Sequence, residues 1–292
     1  MKWEGERQSD NVEDRRGESG GGGGGGRIGG RSVGIGSIVI ALVAGWIFGI
    51  NPLTVLGLLS GDGAPVAQTA PAAVKPPAAD RQAQFVATVL ADTEDVWTTV
   101  LAAQNARYEP PKLVLFRGSI PTACGQGAAA MGPFYCPGDR KVYIDLGFFD
   151  TLRSRLGAPG DFAQAYVIAH EVGHHLQQSM GITAQVDKQR GRVPEAQMNA
   201  LSVRAELQAD CLAGVWAHHS QQGKGWLEQG DLEEALNAAS KIGDDTLQRQ
   251  SQGTVVPESF THGSSAQRVA WFQRGFKGGT LNGCNTFEAR TL

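Results

Sequence analysis

The feature that most constrains this chain is the run His170-Glu171-Val172-Gly173-His174. The residues before it, Phe162, Ala165, Tyr166, Val167, Ile168 and Ala169, form a largely apolar stretch that predicts a buried helix. Histidines at i and i+4 lie one above the other on one helix face. Both rings can then reach a single tetrahedral zinc ion at about 2.0–2.1 Å. Glu171 points towards the open coordination position, where a carboxylate can take a proton from water activated at the metal. Two histidines capping polar pockets on a surface helix are the bland alternative, and the apolar run argues against a solvated face.

A catalytic zinc site needs a third protein ligand. Downstream, Glu206 and Asp210 stand four residues apart in the stretch SVRAELQADCLAGVW. They share a helix face, so Glu206 can bind the ion while Asp210 accepts the outer N–H of a ligand histidine and fixes its tautomer. An ExxxD on a helix usually marks a solvated acidic face. Here Val203, Leu207, Leu212, Val215 and Trp216 surround it, and the two motifs account for each other.

HExxH followed by ExxxD resembles the gluzincin metallopeptidases. More closely, the chain resembles the bacterial family described as putative neutral zinc metallopeptidases. The likeness rests on DNVEDRR at 10–16, FYCP at 134–137, GDFAQAYVIAHEVGHHLQ at 160–177, RAELQADCLAGVW at 204–216 and SFTHGSSAQR at 259–268, and extends to the CNTF near the C-terminus. It implies His170, His174 and Glu206 as zinc ligands and Glu171 as the catalytic residue. It supports the metal site better than any substrate.

Gluzincins often use a downstream histidine or tyrosine to stabilise the oxyanion of the tetrahedral intermediate. His262 is the expected candidate. It competes with Tyr135 and Tyr143, and Thr261 to Ser264 also reads as a helix entry capped by Ser264 or Ser265. His175 follows the motif directly, and the helical rotation turns it away from the ion. His218 and His219, near the end of the third-ligand helix, read as solvated.

Four cysteines, Cys124, Cys136, Cys211 and Cys284, form no CxxC. In an oxidising compartment Cys124–Cys136 is the local bridge, leaving Cys211–Cys284, one of three possible connectivities. In a reducing one they are buried thiols.

Compartment turns on the N-terminus. Residues 1–32, polar and carrying the glycine run Gly20 to Gly26, read as a disordered cytoplasmic tail. Residues 33–55 read as a single transmembrane anchor, because the 18 residues from Val33 to Ile50 carry no charge. A cleaved signal peptide is the competing reading, against which stands the long tail of mixed charge. Arg27 and Arg31 precede the apolar run, and no Lys or Arg lies between Val33 and Val74. The expectation is therefore a bacterial inner-membrane protein, single-pass, with its N-terminus cytoplasmic and its bulk periplasmic. Residues 56–80 are an Ala/Pro-rich linker, and 81–292 the folded domain.

In that domain the helical spacing of Phe85 to Leu101 predicts one or two helices, and Leu113–Phe116 and Val142–Leu146 short strands. Asp161 reads as the cap of a helix to about Gln178, with further helices over 195–219, 230–242 and 264–274. Strands early and helices later predict an α+β domain of zincin-like form. Zincins bind extended peptides along an edge strand, for which Lys141 to Asp145 is the candidate, or else an interior strand.

The function expected is hydrolysis of peptide bonds, with Zn2+ as cofactor, a peptide or protein as substrate and the membrane as partner. The formal net charge of −3 gives no reason to expect nucleic acid. A zinc-stabilised interaction module without turnover is the alternative from another class, and the intact Glu171 argues against it. A di-iron carboxylate centre calls for a second ExxH, which the chain lacks.

Overall fold

A computed structural model describes residues 1–18, 75–77, 79–129 and 132–292. The architecture is α+β. The first strand, β1 (Val12–Asp14), precedes the long helix α1 (Arg81–Ala102), which starts where the Asp80 carboxylate accepts the Ala83 N–H. There follow β2 (Lys112–Phe116), the hairpin β3 (Ser119–Thr122) and β4 (Gly125–Ala128), β5 (Phe134–Cys136) and β6 (Lys141–Asp145). The remainder is helical: α2 (Gly147–Ser154), α3 (Asp161–Ser179), α4 (Ile182–Asp187), α5 (Glu195–Lys224), α6 (Asp231–Lys241), α7 (Asp244–Gln252) and α8 (Ser265–Gly278).

The main sheet has the order β1-β2-β6-β5. Its first three strands run parallel, with Val12 opposite Leu113 and Leu113 opposite Val142, and β5 is antiparallel to β6. Leu113, Leu115, Val142 and Ile144 are completely buried and share a core with the helices. Val114, Phe116 and Tyr143 face the other way, onto a smaller cluster with Ile120 and Cys136. Phe162 of α3 stacks on Trp216 of α5 at 5.8 Å, and Tyr166 meets Phe272 of α8 edge-on. The three helices that matter for the site thus share one aromatic core.

The strands β1, β3, β4 and β5 and the short helices α2, α4 and α7 escaped the sequence pattern. α7 buries only Asp244 and Gln248, so it has no apolar stripe to read. At α3 the cap is Gly160, with Asp161 in the first turn. Glu234 of α6 accepts the Phe162 N–H there, at 3.2 Å, so a distant carboxylate does what the adjacent one was expected to do.

The largest correction concerns the N-terminus. Residues 1–18 belong to the fold and are not part of a disordered tail. Their polar side chains made them look unable to bury anything, but they satisfy buried polar groups of the domain. Ser9, Asn11 and Arg7 all donate to the carboxylate of Glu94, which is buried on α1. Glu13 pairs with Lys112 and Lys141 of the two neighbouring strands, and Arg16 with Asp80. The Met1 ammonium lies 2.9 Å from Asp161 and 3.2 Å from Asp231. β1 itself adds backbone bonds to β2, from Leu113 N–H to Asn11 and from Arg15 N–H to Leu115.

A single membrane crossing between residue 18 and residue 75 would part β1 from β2. The expected topology, with the N-terminus on one side and the domain on the other, is therefore not compatible with this sheet. Among the described residues no helix is long and apolar enough to cross a membrane. The span read at 33–55 lies outside them, as do most of the linker read at 56–80 and residues 19–32 of the tail. Disulfides join Cys124 to Cys136 and Cys211 to Cys284, a pairing that points to an oxidising, extracytoplasmic environment.

The N-terminal strand can be tested at Val12, which is 4% exposed. Val12→Asp is expected to lower stability by about 2 kcal/mol or more, from lost burial and an unpaired carboxylate. A change within about 0.5 kcal/mol in denaturant melts is what a detached tail would give.

Candidate metal centre

Two helices build the site, and a missing side chain lets them meet. Gly173, inside the HEVGH run, faces Ala209 of α5; a Cβ there would stand 3.1 Å from the Ala209 backbone. This close approach of α3 and α5 brings Glu206 and Asp210, one turn apart, level with His170 and His174.

His170 Nε2 lies 3.2 Å from Glu206 Oε2, and His174 Nε2 lies 3.5 Å from Glu206 Oε1. One donor atom from each of the three residues falls within 4.8 Å of the others. Around a tetrahedral ion with bonds of about 2.0–2.1 Å, neighbouring donors stand about 3.3 Å apart. The spacing and the chemistry of the donor set both fit zinc.

The outer nitrogens are held so that both Nε2 atoms face inwards. His170 Nδ1 lies 2.9 Å from Asp210 Oδ1, and a carboxylate only accepts, so Nδ1 carries the proton. His174 Nδ1 lies 2.9 Å from Gln177 Oε1. The Gln177 amide cannot be turned round, because its nitrogen donates to the Ala205 carbonyl at 2.6 Å and to Gln208 at 3.1 Å. His174 is therefore also protonated on Nδ1. Asp210 and Gln177 thus occupy matching places, one behind each histidine.

The electrostatics follow from burial among charges. Burial disfavours the Glu206 carboxylate, yet His174, His170 and His262 outweigh it and hold the group below the usual range. Burial likewise opposes ionisation of Asp210, and Arg268 and His170 outweigh it, bringing that carboxyl down to about 2. Burial pulls the His170 imidazole down; Asp210 and Glu206 more than offset this and raise it. Glu171 is 7% exposed, and burial raises its carboxyl against the pull of the two histidines. No hydrogen bond holds that carboxylate among the described residues, and it remains available beside the three donors.

His262 sits ahead of α8. Its Nδ1 lies 3.2 Å from Asp244 Oδ1, and the backbone N–H groups of Thr261, His262 and Gly263 all donate to Asp244 Oδ2. Burial lowers the ring and Asp244 together with Glu206 raises it, so His262 feels the charge at the centre. Its competitors are engaged elsewhere: the Tyr135 hydroxyl bonds His175 Nδ1 at 3.1 Å, and Tyr143 donates to Asp139 at 2.7 Å. His175 is engaged away from Glu206, its other nitrogen reaching the Glu109 carbonyl. His218 and His219 are not simply solvated. They reach the carbonyls of Phe276 and Gly279 at the end of α8, where helix acceptors lack partners.

Asp244, Gln177, Tyr166 and Arg268 were not read from the sequence. Gln177 left a signal, three residues after His174 on the same face, as did Tyr166, four residues before His170. Tyr166 stands one turn before His170 on the same helix, and Asp244 and Arg268 reach the site from separate elements. A second acidic group, Asp161, Asp231 and Glu234, lies close enough together to hold a cation, and the Met1 ammonium sits on two of its members.

The family described as "Putative neutral zinc metallopeptidase" matches residues 1–287. The chain belongs to it. It is 52% identical over 290 residues to "Uncharacterized protein YpfJ" of Escherichia coli K12, covering 98% of this chain and 99% of that one. It is 41% identical over 209 residues to "Uncharacterized protein Mb2605" of Mycobacterium bovis and to "Uncharacterized protein Rv2575" of Mycobacterium tuberculosis, covering 68% of each chain. No solved structure matches it. The family match begins at residue 1 and so takes in β1, which the fold requires.

The raised His170 implies a proton on that ring at neutral pH in the metal-free protein. Zinc uptake at pH 7 is expected to release it, and affinity to fall as pH drops. Release persists through the neutral range and fades only as pH rises past the raised value. Titration calorimetry in buffers of different ionisation enthalpy measures it; a zero proton count at pH 7 contradicts the assignment.

Proposed function

We propose that this chain is a zinc-dependent endopeptidase in which His170, His174 and Glu206 hold the ion and Glu171 is the general base. The observation that carries the proposal is Glu171 itself: buried, without a hydrogen-bond partner among the described residues, and close enough to His174, His170 and Glu206 to feel the charge of each. A site serving only to brace the fold has no use for such a carboxylate. When bound, zinc supplies a Lewis acid that lowers the pKa of water to about 7 and polarises the scissile carbonyl.

The protein's own groups do the rest. Glu171, its proton affinity raised by burial, accepts the proton of the attacking water and delivers it to the leaving amine. His262, steered through Nδ1 by Asp244 and favoured by it as the imidazolium, presents its Nε2–H as a donor to the oxyanion. Asp210 and Gln177 keep the two imidazoles in the tautomer that leaves Nε2 free.

Of its two alternatives Lys141–Asp145 is the interior strand, so a substrate strand belongs elsewhere. β6 is interior, flanked by β2 and β5, so its backbone groups are already paired. β5 is the outer strand of the sheet and packs beside α3. Among the described residues no further strand pairs with the outer side of Phe134–Cys136, and an extended peptide can join there.

Glu171→Gln is expected to retain zinc and lose hydrolysis of a denatured-protein mixture, whereas His170→Ala loses both. Zinc content by atomic absorption and release of new amino termini check this. Retained hydrolysis in a clean Glu171→Gln preparation refutes the mechanism, and zinc without hydrolysis in the wild type favours the interaction module. His262→Ala is expected to lower kcat about 10²–10³-fold with KM little changed.

A further inference from the structure

We propose that Arg268 is a positioning residue of the metal centre: its guanidinium locks the Asp210 carboxylate, and Asp210 in turn aims His170 at the ion. The inference rests on the reading that His170, His174 and Glu206 bind zinc, and adds a residue to which neither the ligand motifs nor the family description assigns a part.

Arg268 is 2% exposed and Asp210 is fully buried. Arg268 Nε donates to Oδ2 at 2.8 Å and Nη2 to Oδ1 at 2.9 Å, the two-pronged arrangement that fixes the plane of a carboxylate as well as its position. Tyr166, from the helix that bears both histidines, donates its hydroxyl to Oδ1 at 2.5 Å, and His170 Nδ1 approaches the same oxygen at 2.9 Å. Asp210 thus receives four hydrogen bonds, about the capacity of a carboxylate, and has no freedom to turn away from His170. The guanidinium is itself fastened by Ile242 O and the Tyr166 hydroxyl, both at 3.3 Å.

The helix that carries Arg268 is seated rigidly. α8 begins in a capping box, with Ser264 and Gln267 each bonding the other's backbone. It crosses α5 at two glycines: a Cβ on Gly275 would strike the Cys211 carbonyl, and one on Gly214 the Phe272 carbonyl. Cys211 follows Asp210 directly, so the crossing fixes the backbone that presents Asp210 relative to the one that presents Arg268. A flexible ammonium could satisfy the charge of Asp210 but not span both of its oxygens.

The test is zinc affinity of the full chain by chelator competition, for the wild type, Arg268→Gln, Arg268→Lys, Asp210→Asn and the double variant Asp210→Asn/Arg268→Gln. Melting of each metal-free protein is followed alongside. Arg268→Gln is expected to weaken zinc binding about 10–100-fold, the usual effect of losing a partner behind a ligand. Arg268→Lys is expected to recover only part of that loss. In the Asp210→Asn background the second substitution should change affinity less than about twofold, because Arg268 acts through Asp210. A purely packing role predicts altered melting with zinc affinity unchanged, or losses that add in the double variant; either overturns the proposal. Should Arg268→Gln fail to fold, Arg268→Lys decides alone, and wild-type affinity in it overturns the proposal. A wild type that binds no zinc defeats the underlying reading instead, which separates the two failures.

Discussion

Everything at the centre of this protein depends on how closely α3 and α5 approach each other. The contact of Gly173 with the Ala209 backbone sets the helix spacing, and that spacing decides whether one carboxylate can meet two imidazoles. Glu206 stands 3.2 Å and 3.5 Å from the two Nε2 atoms because nothing larger than hydrogen separates the helices at that level. A side chain at 173 would demand a shift of a few tenths of an ångström from α5, comparable to the tolerance of a metal site. The glycine in the middle of HEVGH is therefore part of the site's geometry although it contributes no donor.

Around the three donors lies a shell of groups that only hold other groups. Asp210 holds His170, Gln177 holds His174, and Asp244 holds His262. Each is buried and ties its histidine through Nδ1, leaving Nε2 for chemistry. A buried carboxylate without compensation would be costly, and compensation is present in each case: Arg268 and Tyr166 for Asp210, three backbone N–H groups for Asp244.

The N-terminal eighteen residues change how the whole chain is understood. Composition alone marks them as unable to fold, since they have few apolar residues. Their role is complementary: they supply one strand and a set of donors to acids that the rest of the domain leaves buried, Glu94 above all. Windowed composition measures what a segment can bury for itself, not what it can satisfy in another. The same blindness hid α7, whose buried residues are an aspartate and a glutamine.

Local spacing by itself determined the pairs that lie on one helix: His170 with His174, Glu206 with Asp210, and Glu171 set apart from both. A separation of four residues is a statement about direction, and the helix turns it into geometry without help from the rest of the chain. It also identified the Cys124–Cys136 bridge, whose ends are 12 residues apart. What only the tertiary structure decided is most of what joins separate elements: Asp244 to His262, Arg268 to Asp210, β1 to β2, and β5 rather than β6 at the sheet's edge. Such contacts depend on where helices cross and strands pair, which is set by the packing of many side chains together and leaves no periodic mark along the chain.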